Sequence, residues 1–436
     1  MLRIRPAFPG THFCASYVVR KLTAGQALLL SERRWSRVLI YVLLITSFIK
    51  VTAITADNPY GYTDPNEIGA VAIWKLSVLV VVCLAAFLAR PARPFWSAIT
   101  LFAPFLAWLS ISLVVNGWSL AVSRSIASLV LPLVYLGTCA QVLTSGRDIM
   151  HIRSACLASI VLSVCTGFTR RLLGETIVTG DPPTFWGSHF GQYNELTLYA
   201  LLAVALTISI VYATVFSSWW NYCVVICLLG MSFMMGVRIA IAATLICALT
   251  TAVSLGARTV ARIGLLLLIG ASIGWMLSGQ YLLDKSFHGK GATVSTIETS
   301  GRSAAWPRYW HFAMEEPLIG HGPNADVAFA RREGLTTIGV SHNDYLGLII
   351  YAGAPGMLLY VGAFVALGRR LGKSPRGRRT DQLFSAAGIG VVAFLAVAAI
   401  TDNPIRNQDT MFPLMAAIGC CVSGSARRHG DSCGQS

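Results

Sequence analysis

Charged residues are scarce in this chain. Of its 436 residues only 12% are Asp, Glu, Lys or Arg, whereas 55% are hydrophobic and the mean hydropathy is +0.64. A soluble domain carries about 25% charged residues, so this composition excludes an ordinary soluble fold. It predicts an all-α protein embedded in a membrane.

Other signals are missing as well. No metal-binding spacing such as HExxH occurs, and most of the eleven cysteines lie within apolar runs, so we expect no metal, no cofactor and no disulfide framework. Seven basic residues are scattered through the first 37 positions, and no h-region with a cleavage site follows, so we expect no cleaved signal peptide. A net charge of +15 would suit a protein that binds nucleic acid. In a membrane protein, however, the distribution of the basic residues among the loops matters more than their total, and we expect no nucleic-acid partner.

Apolar runs of helix length recur along the whole chain. Because a bilayer core requires roughly 17–25 apolar residues per helix, we predict about twelve membrane-spanning helices. They are predicted at Val38–Thr55, Ala70–Ala89, Phe95–Val115, Ser125–Leu143, Ile152–Phe168, Leu196–Phe216, Asn221–Val237, Ile239–Leu255, Ile263–Gly279, Tyr345–Leu367, Phe384–Ile400 and Met411–Val422. The predicted organisation is a basic N-terminal segment (1–37), helices 1–9 (38–279), a large loop (280–344), helices 10–12 (345–424) and a tail (425–436).

The distribution of charge predicts which side each loop faces. With both termini in the cytoplasm, the inner segments hold 21 basic and four acidic residues, a net of +17. The rest of the chain, mostly the outer segments, holds the remaining 13 basic and 15 acidic residues, a net of −2. Inner segments of membrane proteins carry the excess of Lys and Arg, so this partition predicts that the loop 280–344 faces outward.

One long polar segment, Gly301–Gly356, interrupts the apolar pattern. It carries a concentration of cationic and titratable side chains: Arg302, Arg308, Arg331, Arg332, His311, His321 and His342. In so apolar a chain such a set indicates a site for an anionic ligand. The alternative is a solvent-exposed loop whose charged side chains serve only to keep it hydrated. Helical spacing of Trp306, Tyr309, Trp310 and Ala313 predicts that part of this loop is helical.

His342 differs from the other histidines because it lies where the loop meets the next apolar helix, in Ser341-His342-Asn343-Asp344-Tyr345. An imidazole at the mouth of an outward cavity accepts a proton near neutral pH, which makes His342 a candidate general base. Asp344 is a competing carboxylate. On a helix that begins here, it would point to a different face.

The same segment carries a family hallmark. Its parts are Gly301-Arg302, Trp306, Pro317-Leu318-Ile319-Gly320-His321-Gly322, and His342-Asn343 followed after nine residues by Gly353 and by Gly356. This pattern resembles the O-antigen ligase and polysaccharide polymerase family of integral membrane proteins. The His-Asn, nine residues, Gly-x-x-Gly spacing resembles the ligase branch, although Met357-Leu358 stands where ligases often have two threonines.

The resemblance implies a GT-C-like helical fold and a metal-independent, inverting glycan transfer. The implied donor is a glycan on a polyprenyl (undecaprenyl) diphosphate, and the implied acceptor is the lipid A core in ligases or another carrier-linked repeat in polymerases. It also implies a location in the bacterial inner membrane, a role in lipopolysaccharide biosynthesis and a periplasmic active site.

Individual residues take roles from this resemblance. His342 is the expected base, and Arg302 and Arg238 match the two arginines expected to bind the diphosphate, for which a guanidinium is well shaped. Further candidate substrate contacts are Arg170, Arg171, Asn194, Trp306 and Asn343. Each has a simpler reading: arginines at a membrane edge bind lipid headgroups, Asn194 caps a helix, and an aromatic stripe packs.

Two other functions stay open at this stage. Protein O-oligosaccharyltransferases share the hallmark and use a different acceptor. A flippase or secondary transporter would also have many spans and basic loops, but it is expected to show two similar halves, and no counterpart of the His342 segment occurs in the first half.

Overall fold

The computed structural model of the chain describes residues 24–46, 70–172, 195–234, 237–287, 302–335, 340–373 and 379–432, and all regular structure within them is helical. The helices are α1 (Ala24–Thr46), α2 (Ala70–Ala89), α3 (Arg93–Ile99), α4 (Ala103–Asn116), α5 (Leu120–Val142), α6 (Gly146–Leu172), α7 (Glu195–Val215), α8 (Trp219–Met234), α9 (Arg238–Leu255), α10 (Ala257–Phe287), α11 (Arg302–Glu315), α12 (Ala325–Arg332), α13 (Asp344–Gly372), α14 (Arg379–Ala398) and α15 (Gln408–Ser432). A short 3-10 turn, Thr100–Phe102, joins α3 to α4.

The predicted spans overlap described helices, although residues 47–55 of the first predicted span lie outside the described part of the chain. Seven described stretches are long and apolar enough to cross a membrane: Arg93–Asn116, Ser125–Val142, Gly146–Cys165, Leu196–Val215, Arg238–Leu255, Ala257–Met276 and Asp344–Gly372. Shorter apolar helices cover Ser77–Ala89, Trp219–Phe233 and Gln382–Ala398. The all-helical membrane class is therefore confirmed, whereas the count of twelve spans stays a prediction.

Local chemistry sets several helix boundaries. Gly117 and Gly256 end α4 and α9 with φ values of 82° and 109°, which residues other than glycine rarely adopt. The Ser119 hydroxyl accepts from the Val122 N–H at 3.2 Å and caps α5. Helix α10 continues to Phe287, eight residues beyond Gly279, where the ninth span was predicted to end.

Helix α7 lies at the centre of the bundle. In its span, 83% of the residues are buried, against 22% in the span of α10 and 28% in the span formed by α3 and α4. It packs against α6, α8, α9, α14 and α15. The outer helices therefore present their apolar side chains to lipid, whereas α7 is enclosed by protein.

Hydrogen bonds define two ends of the bundle. At what we call the upper end, Asn116 Nδ2 donates to Gly320 O at 3.0 Å and Asp344 N donates to Ala399 O at 2.9 Å. At the lower end, Ser36 Oγ donates to Ala85 O, and Arg370 Nη1 donates to Ser97 O. Segments predicted to lie on one side of the membrane thus share one end of the bundle.

Helix α13 is broken near its upper end, at Ala352 and Gly353, where the backbone leaves helical geometry. Carbonyl groups freed by this break accept hydrogen bonds from other elements: Trp108 Nε1 binds Ala352 O at 2.8 Å, Ser112 Oγ binds Tyr351 O at 2.8 Å, and His321 N binds Ile350 O at 2.7 Å. The Ala354 N–H donates to Pro317 O at 2.8 Å. Backbone groups that would be unpaired in a bilayer are therefore satisfied by protein.

The hallmark glycines occur where the turn Pro317–Gly322 meets this break. Gly353 has a φ of 69°, and a Cβ atom there would lie 2.0 Å from Leu318 O. Gly320 has a φ of 76°, and its Cβ would lie 2.6 Å from Gly353 N. Only glycine permits this approach of two backbones, so the conspicuous glycines of the motif are explained by packing.

Candidate active site

His342 lies in the short segment that precedes α13, and its backbone is strained. Its φ is 44°, in the left-handed region that a residue other than glycine enters at a cost of about 1–3 kcal/mol. Both neighbours are held firmly. Trp306 Nε1 donates to Ser341 O at 2.8 Å, and the Asn343 side chain caps α13 by accepting from Leu346 N at 3.0 Å. The surroundings therefore impose the conformation of His342.

The side chain of His342 faces Asp402, which follows α14. His342 Nδ1 lies 3.7 Å from Asp402 Oδ1, and the two side chains are 30% and 21% exposed. This distance is longer than a hydrogen bond, and Nδ1 is a buried atom with no hydrogen-bond partner among the described residues. The pair is thus an imidazole beside a carboxylate, partly open to the outside of the protein.

Electrostatics favours an ionised Asp402. Burial alone would raise the pKa of this carboxyl, but the His342 ring and the positive charge of Arg302 outweigh burial and hold its pKa below the ordinary value. Asp402 consequently carries a negative charge at neutral pH. Arg302, the half-buried first residue of α11, is near enough to act on it.

Arg238, the second predicted diphosphate ligand, is the half-buried first residue of α9. The preceding residue, Val237, donates its N–H to the Tyr199 hydroxyl at 3.2 Å, and Thr197 in the same turn of α7 is 3.2 Å from Thr410 of α15. The start of α9 is therefore at the upper end of the bundle, with His342. A cation at a helix N-terminus is opposed by the helix dipole, so helix stability gives no reason for an arginine here.

Arg406 forms a buried network close in sequence to Asp402. Its side chain is 9% exposed and binds two fully buried carboxylates: Nε donates to Asp344 Oδ1 at 2.9 Å, and Nη1 donates to Asp326 Oδ2. Burial alone would lower the pKa of Arg406, but the carboxylates and the Tyr351 hydroxyl outweigh burial and raise it well above its usual value. The network joins α12, α13 and the 399–407 loop.

Asp344 belongs to this network and not to the open site. Its side chain is fully buried, and its second oxygen, Oδ2, accepts from Ile405 N at 2.5 Å. Both oxygens are therefore engaged. The expectation that Asp344 points away from His342 agrees with this geometry.

His321 has a packing role. Its ring stacks on Phe312 with centroids 3.9 Å apart, and Nε2 is 2.7 Å from Phe312 O. Phe312 stacks in turn on Phe329, and Arg332 lies over both rings at 5.6 and 5.4 Å. The helical spacing predicted for this part of the loop is confirmed by α11, in which Tyr309 and Ala313 are buried; Trp310, predicted for the same stripe, is 53% exposed.

The structure brings some of the predicted residues together. His342, Arg302, Trp306 and Asn343 lie in one region, where Trp306 and Asn343 hold the backbone around His342. Arg170 and Arg171 lie on α6, but their side chains are outside the described part of the chain, as is Asn194.

Sequence reasoning missed Asp402, Arg406 and Asp326. A signal was present in the polar run Asp402-Asn403-Pro404-Ile405-Arg406, which separates two apolar helices at the upper end. Among the described residues, no group of three or more His, Cys, Asp or Glu side chains is arranged to hold a metal ion.

The apolar helices define the chain as a multi-pass membrane protein. Residues 223–361 match the family model described as O-antigen ligase, a stretch that runs from α8 into α13 and includes Arg238, Arg302 and His342. Over these residues the match confirms the resemblance to the O-antigen ligase family that the hallmark predicted. A comparison with curated proteins found no match.

Proposed function

We propose that the protein transfers a glycan from an undecaprenyl diphosphate carrier to an acceptor, with the lipid A core as acceptor, at the periplasmic face of the inner membrane. The observation that carries this proposal is the pair formed by His342 and Asp402, on which the positive charge of Arg302 acts. His342 and Arg302 lie within residues 223–361, which match the O-antigen ligase family model. A base and a cation in one region are the groups that a transfer from a diphosphate requires.

In the proposed reaction, an acceptor hydroxyl attacks the anomeric carbon of the carrier-linked sugar. The new C–O bond forms as the bond to the diphosphate breaks, and the carrier diphosphate leaves with inversion at that carbon. Since Nδ1 of His342 faces Asp402, Nε2 is the nitrogen left to take the proton of the hydroxyl. The imidazolium that forms is then stabilised by the Asp402 carboxylate, as in other base–carboxylate pairs.

The leaving diphosphate gains charge as its bond to the sugar breaks. Arg302 and Arg238 are proposed to bind it, because a guanidinium offers paired donors that match phosphate oxygens. Arg170, Arg171 and Asn194 remain candidates for further contacts with the carrier. We assign Trp306 and Asn343 to holding the segment that carries His342, since both already bind its backbone neighbours.

Replacing the base tests the proposal most directly. His342→Ala should insert and bind the carrier donor but transfer glycan about 10²–10⁴-fold more slowly, the usual contribution of a positioned general base. Asp402→Asn should slow transfer about 5- to 1,000-fold, because a charge at about 4 Å is worth roughly 1–4 kcal/mol between aqueous and partly buried settings. His311→Ala, an exposed histidine of α11, is the matched control and should transfer at the normal rate. Normal turnover by purified His342→Ala would refute the proposal.

The arginines are tested by charge-conserving exchange. Arg302→Lys and Arg238→Lys should each lose most activity although the protein still inserts. Lysine offers a single point charge in place of the paired N–H donors of a guanidinium. Arg308→Lys is the control, since Arg308 is exposed on α11. Full activity of the Arg238→Lys variant would return Arg238 to a lipid-facing role.

The choice of acceptor is tested in a deletion strain. Loss of all O-chain, with long polymer accumulating on the carrier, supports the ligase proposal. A single repeat left on lipid A would instead assign the chain to the polymerases, and an intact O-chain would point to another acceptor such as a protein.

A further inference from the structure

Arg406 connects the two loop segments that carry the proposed catalytic pair, His342 and Asp402. Its Nη2 donates to Ser341 Oγ at 2.9 Å and also to Asn403 Oδ1. Ser341 immediately precedes His342, and Asn403 immediately follows Asp402. One guanidinium nitrogen therefore binds a direct neighbour of each member of the pair.

We propose that Arg406 is a positioning residue, which sets the separation between His342 and Asp402 by binding Ser341 and Asn403 at once. This inference rests on the proposed function, because it concerns the geometry of the same base. The Arg406 side chain is buried, so it acts through these two neighbours and does not touch substrate.

The position of the guanidinium is itself fixed from the other side. Nε is held by Asp344, and Nη1 is held by Asp326 and, at 3.3 Å, by the Tyr351 hydroxyl. Tyr351 also donates to Asp326 Oδ1 at 3.0 Å. With three nitrogens engaged on buried partners, the planar group cannot rotate without breaking a charged hydrogen bond.

The absence of a side chain at Gly347 leaves space for this group. A Cβ atom at Gly347 would lie 2.8 Å from Cζ of Arg406 and 3.0 Å from each terminal nitrogen. Gly347 is in the first turn of α13, one turn after Asn343. Helix α13 therefore covers one face of the guanidinium. Because the orientation of the guanidinium is fixed, the positions of Ser341 and Asn403, which it binds, are fixed as well.

The fixed position of Arg406 matters because general-base catalysis is sensitive to small changes in the distances between the reacting groups. A misplacement of about 1 Å costs on the order of 10²-fold in rate when reacting groups are held by the protein. His342 and Asp402 are already 3.7 Å apart, so a small further separation weakens the charge that stabilises the imidazolium. The strained backbone of His342 also requires restraints on either side of it.

The test uses the full-length protein in purified form, with carrier-linked glycan and acceptor. Asn403→Ala removes one of the two links, and we expect its kcat to fall about tenfold or more while KM for both substrates stays within about twofold. Asn403→Asp keeps an acceptor oxygen for Arg406 and should restore most of the lost rate. Tyr135→Phe, which removes a buried hydrogen bond to Ile40 O at the lower end of the bundle, is the control for a general loss of stability.

A double variant separates positioning from stability. If Asn403 acts through Asp402, then adding Asn403→Ala to Asp402→Asn should lower kcat by less than about twofold more, because the carboxylate to be positioned is gone. A purely structural role predicts that the two losses multiply, and that result would overturn the proposal, as would a normal kcat for Asn403→Ala. Normal turnover by His342→Ala is a different outcome, since it would refute the proposed function itself.

Discussion

Exchanging Asp344 should damage the stability of the protein much more than its chemistry. In Asp344→Asn the side chain keeps its shape and one acceptor oxygen, but the new amide group turns its hydrogens toward the N–H of Ile405 or of Arg406. One buried donor is then left without an acceptor, which costs about 1–3 kcal/mol. The charge of Arg406 is still paired, because Asp326 still binds it.

Further variants of Asp344 and Arg406 should lose stability by different amounts. Asp344→Ala removes both acceptor oxygens and leaves two buried donors, Ile405 N and Arg406 Nε, without that acceptor, so its cost should be about 2–6 kcal/mol. Arg406→Leu should cost at least as much, because two fully buried carboxylates, Asp326 and Asp344, would then both lack their cation. Stability should therefore fall in the order wild type, Asn, Ala at position 344.

Thermal unfolding in detergent at one fixed scan rate measures this order, since large membrane proteins often unfold irreversibly. Glycan transfer is measured on the folded fraction of the same samples. We expect Asp344→Asn to keep turnover within about tenfold of wild type, well above His342→Ala. An Asp344→Asn protein with unchanged thermal stability and a loss of about 100-fold in turnover would mean that Asp344 handles the proton.

The remaining predictions concern the break in α13, the charge of Asp402 and the topology. Gly353→Ala should be destabilised by at least about 2 kcal/mol, from the left-handed backbone and the clash with a carbonyl, whereas Gly362→Ala in open space on the same helix should be neutral or slightly stabilised; thermal unfolding decides between them. Because the folded pKa of Asp402 is lowered, the stability that it contributes is complete above its unfolded pKa of about 3.9 and is lost as the pH falls through the folded value. The loss of thermal stability in Asp402→Asn should accordingly be present at pH 7 and shrink toward pH 3, and a loss independent of pH would contradict this. A membrane-impermeant maleimide should label exposed Glu316→Cys in intact cells and Lys373→Cys only after lysis, and the reverse pattern would invert the predicted topology.

Most helices were predictable from the sequence for a physical reason. A segment that crosses a bilayer must satisfy its own backbone, so an apolar run of sufficient length leaves helix as the only open structure. The predicted span Ala70–Ala89 coincides with α2, and the predicted span Ile239–Leu255 differs from α9 by one residue. The break in α13 was marked by Gly353, but its cause, a turn that precedes it by some thirty residues, left no periodic signal.

The candidate site was predictable only in part. His342 and Arg302 were found because a local motif carries them. Asp402 and Arg406 lie about sixty residues further along, and folding alone brings them to His342 and Asp344. Hydrophobic periodicity reports neighbours on one helix, and it contains no information on which loops meet.

The break in α13 also bears on the order in which the chain is assembled. Three carbonyl groups and one N–H group at the break are paired with α4 and with the turn Pro317–Gly322. A newly made α13 that entered lipid alone would carry four unpaired backbone groups, each costing several kcal/mol. Both partners precede α13 in the chain, so they are already synthesised when it leaves the ribosome. A circularly permuted protein that began with α13 would expose those four groups to lipid before any partner existed.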